Sequence, residues 1–150
     1  MNRQNPLLIN EEVWFNTALK NSWEFNDNAI QHNSKLTKSL EGIDLSINLG
    51  GSFYGSYTCL KTRLEILNIS FLTKLDFESI IRVNSEVIEG LNMLNDAKIF
   101  YLGYKICLEV DGVLNNEDSL IILMQLGELI VDLISNIHVL SKNQKMNLKF

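Results

Sequence analysis

The side chains best suited to chemistry are few in this chain, and they stand apart from one another. Two histidines, His32 and His138, lie more than a hundred positions apart, and neither has a cysteine or carboxylate at metal-ligand spacing. His32 falls in a polar stretch and His138 near the end of an apolar helical pattern, both ordinary settings for a surface histidine. The two cysteines, Cys59 and Cys107, sit in apolar surroundings, where a thiol packs as a small hydrophobe; they make neither a disulfide framework nor a metal spacing. Gly50, Gly51 and Gly55 invite a phosphate-loop reading, but no Gly-Lys-Ser/Thr ending follows, and the loop leads into a β-rich run rather than a helix N-terminus. A hairpin turn is expected there. The acidic stretch Asp111 to Asp118 lacks the oxygen-ligand spacing of a calcium loop, because Val113 and Leu114 interrupt it. A turn followed by a helix cap is the expected structure. No Gly-x-Ser-x-Gly elbow is present, although a triad can assemble from distant residues. The expectation is a non-enzyme with no catalytic residue, no metal and no cofactor.

Hydrophobic periodicity gives the elements that would position any site. Asn10 is a good N-cap, Glu11 and Glu12 suit the positive end of a helix, and Val13, Trp14, Ala18 and Leu19 have helical spacing. A helix over about residues 11–21 is predicted. Residues 22–42 read as a polar connector, with room for a short strand or a turn of helix. Ile43 to Leu49 alternates apolar and polar without a break, the mark of a strand with one buried face. Phe53 to Leu60 is β-rich. Leu64 to Thr73 reads as a third strand after a turn near Lys61 to Arg63, with a phase slip at Leu67 and Asn68 that suggests a bulge. Asp76 is the expected cap of a helix through residues 76–94. The runs 97–102 and 104–110 form a hairpin, and a last helix runs from Asn116 to about Leu140, followed by a frayed tail at 141–150. The predicted fold is a single α+β domain over residues 1–150. Its order is α-β-β-β-α-β-β-α, with an antiparallel sheet and helices mainly on one face.

Composition narrows the partners. A net charge of −5 and scattered basic residues argue against nucleic acid, which requires clustered Lys and Arg. The start of the chain has no apolar core of a signal peptide. The apolar run Leu120 to Ile134 contains Gln125, Glu128 and Asp132, and reads as too short and interrupted to span a bilayer of about 30 Å. A cytoplasmic protein with no membrane partner is the expectation.

Two features point to protein contacts. Trp14, Phe15, Trp23 and Phe25 cluster near the N-terminus, where they either seal the first helix or form a binding patch. The apolar arcs of residues 77–94 and 120–134 are wider than one sheet contact needs. They are either core or a subunit interface. A homodimer through Ile80, Val83 and Val87 is the expectation.

Residues 57–140 resemble the class I type III secretion chaperones and the YbjN-like proteins. The resemblance is carried by Val83-Asn84-Ser85 before an apolar helical turn, by Ala97-Lys98-Ile99-Phe100 with Lys105-Ile106-Cys107-Leu108-Glu109-Val110, and by the long closing helix. Residues 1–56 are similar only in having a helix and then strands. The resemblance implies a non-enzymatic, often dimeric protein that holds a segment of a client polypeptide. An alternative from another class is an immunity protein that blocks a toxin's active site, through carboxylates such as Asp44, Glu109 and Asp111. A third, a small enzyme, would need a polar pocket with perturbed titratable groups.

Overall fold

The computed structural model describes residues 9–26, 34–50 and 61–147, with side chains through Ile137. The β-rich run 53–60, Gly51, Gly55, Cys59 and His32 lie outside these residues, as does the side chain of His138. The elements are α1 (Glu11–Lys20), β1 (Glu24–Asn26), β2 (Lys35–Leu40), β3 (Ile43–Gly50), β4 (Lys61–Leu67), α2 (Lys74–Val83), α3 (Ser85–Asn92), β5 (Lys98–Tyr101), β6 (Lys105–Asp111) and α4 (Glu117–Asn147). The strands form one antiparallel sheet in the order β1-β2-β3-β4-β6-β5. The α+β class and the layering of helices on one sheet face are as expected.

Several expectations need correction. Residues 22–42 are not a connector only: they contain β1 and β2. A two-residue turn, Glu41-Gly42, joins β2 to β3 with φ of 53° and 82°. Positive φ at both positions matches the right-handed twist of a tight hairpin. Lys61 to Arg63 is not a turn but the start of β4, and the slip at Asn68 is the strand's end, where φ reaches 66°. The helix expected over 76–94 is two helices. Asn84 at φ −113°, ψ 94° is extended and breaks it. Its cap is Thr73 rather than Asp76. The Thr73 hydroxyl accepts from the Asp76 amide at 3.1 Å, and the Asp76 carboxylate accepts from the Thr73 amide at 3.4 Å. This reciprocal pairing satisfies two amides that a helix start leaves orphaned. Finally, α4 continues past Leu140 to Asn147.

The core lies between the sheet and the helices. Pleating sends Ile43, Leu45 and Ile47 of β3, Leu64 and Ile66 of β4, and Ile106, Leu108 and Val110 of β6 to the helix side, all buried. Helix α4 crosses this surface, with α1 packed along one flank and α2 and α3 along the other. Gly127 marks the closest approach: a Cβ there would stand 3.0 Å from Leu64 Cδ2 and 3.4 Å from Leu45 Cδ2. Those flanking helices resolve the breadth of the α4 apolar arc. Leu120, Leu123, Met124, Leu126, Ile130, Val131 and Ile134 are buried, and no large apolar residue between Glu117 and Ile137 is among the exposed ones. By length and composition alone, Glu117–Ile137 is enough to cross a membrane, which corrects the reading of that run as too short. In this fold it is the central core helix.

Candidate functional site

The sheet face opposite the helices is polar and open. It carries Thr37 and Ser39 of β2, Asp44, Ser46 and Asn48 of β3, Arg63 and Glu65 of β4, and Lys105, Cys107 and Glu109 of β6. A concavity of about 820 Å³ lies on it, lined in part by Glu24, Lys35, Thr37, Asp44, Asn48 and Glu65. Such a hollow is where an enzyme's acid and base would sit. Two of its carboxylates, Asp44 and Glu65, are already engaged. Asp44 accepts hydrogen bonds from the Ser39 hydroxyl and, at 2.7 Å, from the Asn68 amide. Glu65 accepts from Lys105 at 2.5 Å and from the Asn48 amide at 2.7 Å. Arg63 Nε stands 3.0 Å from Glu109, close enough to pair as charges without the alignment of a hydrogen bond.

The electrostatics follow from that ladder. Burial alone would raise the Glu65 carboxyl, but the Lys105 and Asn48 hydrogen bonds and the nearby Lys105 and Arg63 charges outweigh it. The group is held below the usual carboxylate range. Its hydrogen bond to Glu65 raises Lys105 in turn, against partial desolvation. Cys107 is buried, and that burial, with the Glu109 and Glu65 charges, pushes its thiol up. A thiol held protonated is a poor nucleophile and a poor ligand. Among the described residues, no group of three His, Cys, Asp or Glu could hold a metal ion. In the acidic stretch Asp111 to Asp118, Gly112 (φ 79°) bridges to Lys61 and irregular backbone leads to Asn116, whose side chain accepts from the Ser119 amide at 3.2 Å. Buried Thr62 fixes this loop, donating to the Gly112 carbonyl at 2.8 Å and accepting from the Leu114 amide at 3.0 Å.

The aromatic cluster divides in two. Trp14 is fully buried and its indole N–H donates to the Leu114 carbonyl at 2.7 Å, which ties α1 to the loop before α4. Trp23 is also buried, at 5% exposure, and its indole N–H has no hydrogen-bond partner. Neither tryptophan is available to a partner, so both are corrected from contact residues to core. Phe15 and Phe25 are different. Phe15 is 50% exposed and meets half-buried Phe25 edge-to-face, with ring centroids 6.2 Å apart. One turn on, Leu19 is 70% exposed. Sequence reasoning missed Leu19 by assigning it to the buried stripe. On the wheel of α1 it shares the outward face with Glu12, Phe15 and Asn16, at i−7, i−4 and i−3. Phe15 brings this face to β1 through Phe25; β1 pairs only with β2 and is an edge of the sheet among the described residues.

The expected dimer residues divide as well. Ile80 and Val87 are buried, at 3% and 0% exposure, because the break at Asn84 turns both α2 and α3 onto the core; they cannot serve as an interface. Val83 is 70% exposed, and Leu75, Ile88 and Met93 accompany it on the surface of these two helices. Of the carboxylates suggested for toxin binding, Asp44 and Glu109 are engaged on the open face, and Asp111 is exposed. No protein-family model, no curated protein and no solved structure matches this chain.

Proposed function

We propose that this chain is a non-enzymatic, chaperone-like or adaptor protein that holds a segment of a client polypeptide along α1 and the β1 edge. One observation carries the reading. Phe15, Phe25 and Leu19 form a contiguous apolar strip beside a strand edge that is unpaired among the described residues, whereas Asp44, Glu65 and Glu109 of the open sheet face are engaged by neighbouring side chains. Exposed aromatics next to an open edge suit a partner in extended conformation, which gains main-chain hydrogen bonds from the strand and apolar contacts from the helix. A single helix layer on an antiparallel sheet is also what the resemblance to the secretion chaperones and YbjN-like proteins implies, although four strands and a broken helix pair stand where that resemblance has three strands and one helix. Self-association belongs to the same proposal, with Leu75, Val83, Ile88 and Met93 in place of the buried Ile80 and Val87. Light scattering on the wild type and on Val83→Glu tests that part.

Binding of extended peptides, read by fluorescence anisotropy, tests the client reading. Leu19 makes its largest contribution when the 70% it now exposes becomes covered, which is worth about 2 kcal/mol, or roughly 30-fold in Kd. Leu19→Gln keeps helix propensity and should weaken binding by up to that factor with the thermal unfolding curve unchanged. Peptide binding indifferent to both Leu19→Gln and Phe15→Gln would rule out this strip as the contact surface.

A further inference from the structure

Charge around the apolar strip says which segments it would accept. On the wheel of α1, Phe15 and Leu19 fall between exposed Glu11 and exposed Glu12. Glu24 is exposed on β1 itself. None of these three carboxylates is in an ion pair among the described residues. The nearby cation of α1, Lys20, is neutralised by Glu117 at 3.1 Å. Lys35 lies diagonal to Glu24, opposite Asn26 in the β1–β2 register, and makes no ion pair with it.

The pleat gives these charges a direction. Phe25 pairs with Leu36 and faces the helix side, whereas Glu24 pairs with Thr37 and faces the open side. A strand added to β1 would alternate in the same way, one set of side chains meeting Phe15, Phe25 and Leu19 and the other passing Glu24. Glu11 and Glu12 border the helix-side set at one end of α1.

Resting on the client reading above, we propose that the site selects extended segments in which apolar residues alternate with lysine or arginine. The apolar side chains fill the Phe15–Phe25–Leu19 strip and the cations neutralise Glu24 on the open side, while Glu11 and Glu12 add a longer-range negative field from the helix side. This is a choice among clients by charge complementarity, which sets specificity and association rate more than raw affinity.

The test uses the full chain and four labelled peptides: alternating Val/Phe with Lys, the same apolar pattern with Gln, the same with Glu, and a block-scrambled version of the Lys peptide. At about 0.05 M salt the alternating Lys peptide should bind roughly tenfold tighter than the Gln peptide, with the Glu peptide weakest and the gap closing near 0.5 M. The scrambled peptide should bind more weakly than the alternating one. Glu24→Lys, which lies off the helix and leaves its N-terminus intact, should reduce the preference for Lys, and Glu11→Gln with Glu12→Gln should reduce it further. Glu86→Gln with Glu89→Gln, exposed on α3 across α4 from this edge, should leave it unchanged. Equal binding of the Lys, Gln and Glu peptides, all lost in Leu19→Gln, overturns the charge selection and leaves the client site standing. A preference weakened as much by the α3 pair as by Glu24→Lys also overturns it, because bulk charge is then the cause. No measurable binding of any peptide overturns both.

Discussion

Replacing Gly127 with valine tests how the fold is held together. At this point α4 crosses β3 and β4, and a Cβ alone would stand 3.0 and 3.2 Å from the two methyls of Leu64 and 3.4 Å from Leu45 Cδ2. Both leucines are buried, at 0% and 1% exposure, so neither can swing into solvent. Forcing a branched side chain into that contact costs about 1–3 kcal/mol of overpacking. Valine recovers only about 0.4 kcal/mol of helix propensity relative to glycine. The net expectation is a loss of about 2 kcal/mol, or a fall in Tm of about 4–8 °C for a chain of this size. Gly127→Ala should come out within about 1 kcal/mol of wild type, because its propensity gain offsets a milder contact. Urea unfolding followed by circular dichroism measures both. A Gly127→Val protein as stable as wild type would refute the packing of α4 directly on the sheet through this glycine.

Other expectations follow from single contacts. Trp14→Phe leaves the part-buried Leu114 carbonyl without its indole donor and should lower unfolding free energy by about 1–2 kcal/mol in the same assay. Thr73→Ala removes the capping box of α2 and should cost about 1 kcal/mol, with Thr73→Ser close to neutral. The Glu65 carboxyl has a folded-state value below its ordinary 4.5, so its contribution is complete above that pH and fades as pH falls through the depressed value. Lys105 is raised above its ordinary 10.5, so the partner's contribution is complete below that pH and is lost only as pH rises past it. Stability measured from neutral pH downward should therefore fall less steeply below 4.5 in Glu65→Gln than in wild type, and equal slopes would show that the Lys105–Glu65 pair is not formed in solution.

Much of the fold was legible because its cues are local. Asn10 caps α1 as its sequence suggests, accepting from the Val13 amide at 3.2 Å. The alternation in β3 and β6 reports which residues face the helices, although Ser46 and Cys107 on the other face are buried too. Strand β2 was hidden for a physical reason. Its helix-facing set is Leu36, Lys38 and Leu40, and the lysine breaks the apolar pattern. That charge is met by Glu128 on α4, ninety positions away, a partner no window of sequence can show. The break at Asn84 was equally hidden, since apolar spacing continues across it; beyond it α3 packs so closely on α4 that a Cβ at Gly90 would meet Leu126. The candidate site was half legible. Phe15 and Phe25 were identified with Trp14 and Trp23, but residue type alone cannot say which of four aromatics faces solvent. Leu19 was assigned to the wrong side of its helix, because the buried arc is set by where α4 and the sheet lie.

Photocrosslinking asks most directly whether a polypeptide lies along α1 and the β1 edge. A benzoylphenylalanine placed at Leu19, and separately at Met93 on the far flank, would be irradiated in the presence of the alternating apolar–lysine peptide. The peptide should become attached at position 19, with unlabelled peptide competing it away, and at most weakly at 93. Equal yields at the two positions, or attachment at 93 alone, would contradict the assignment of the client to this edge.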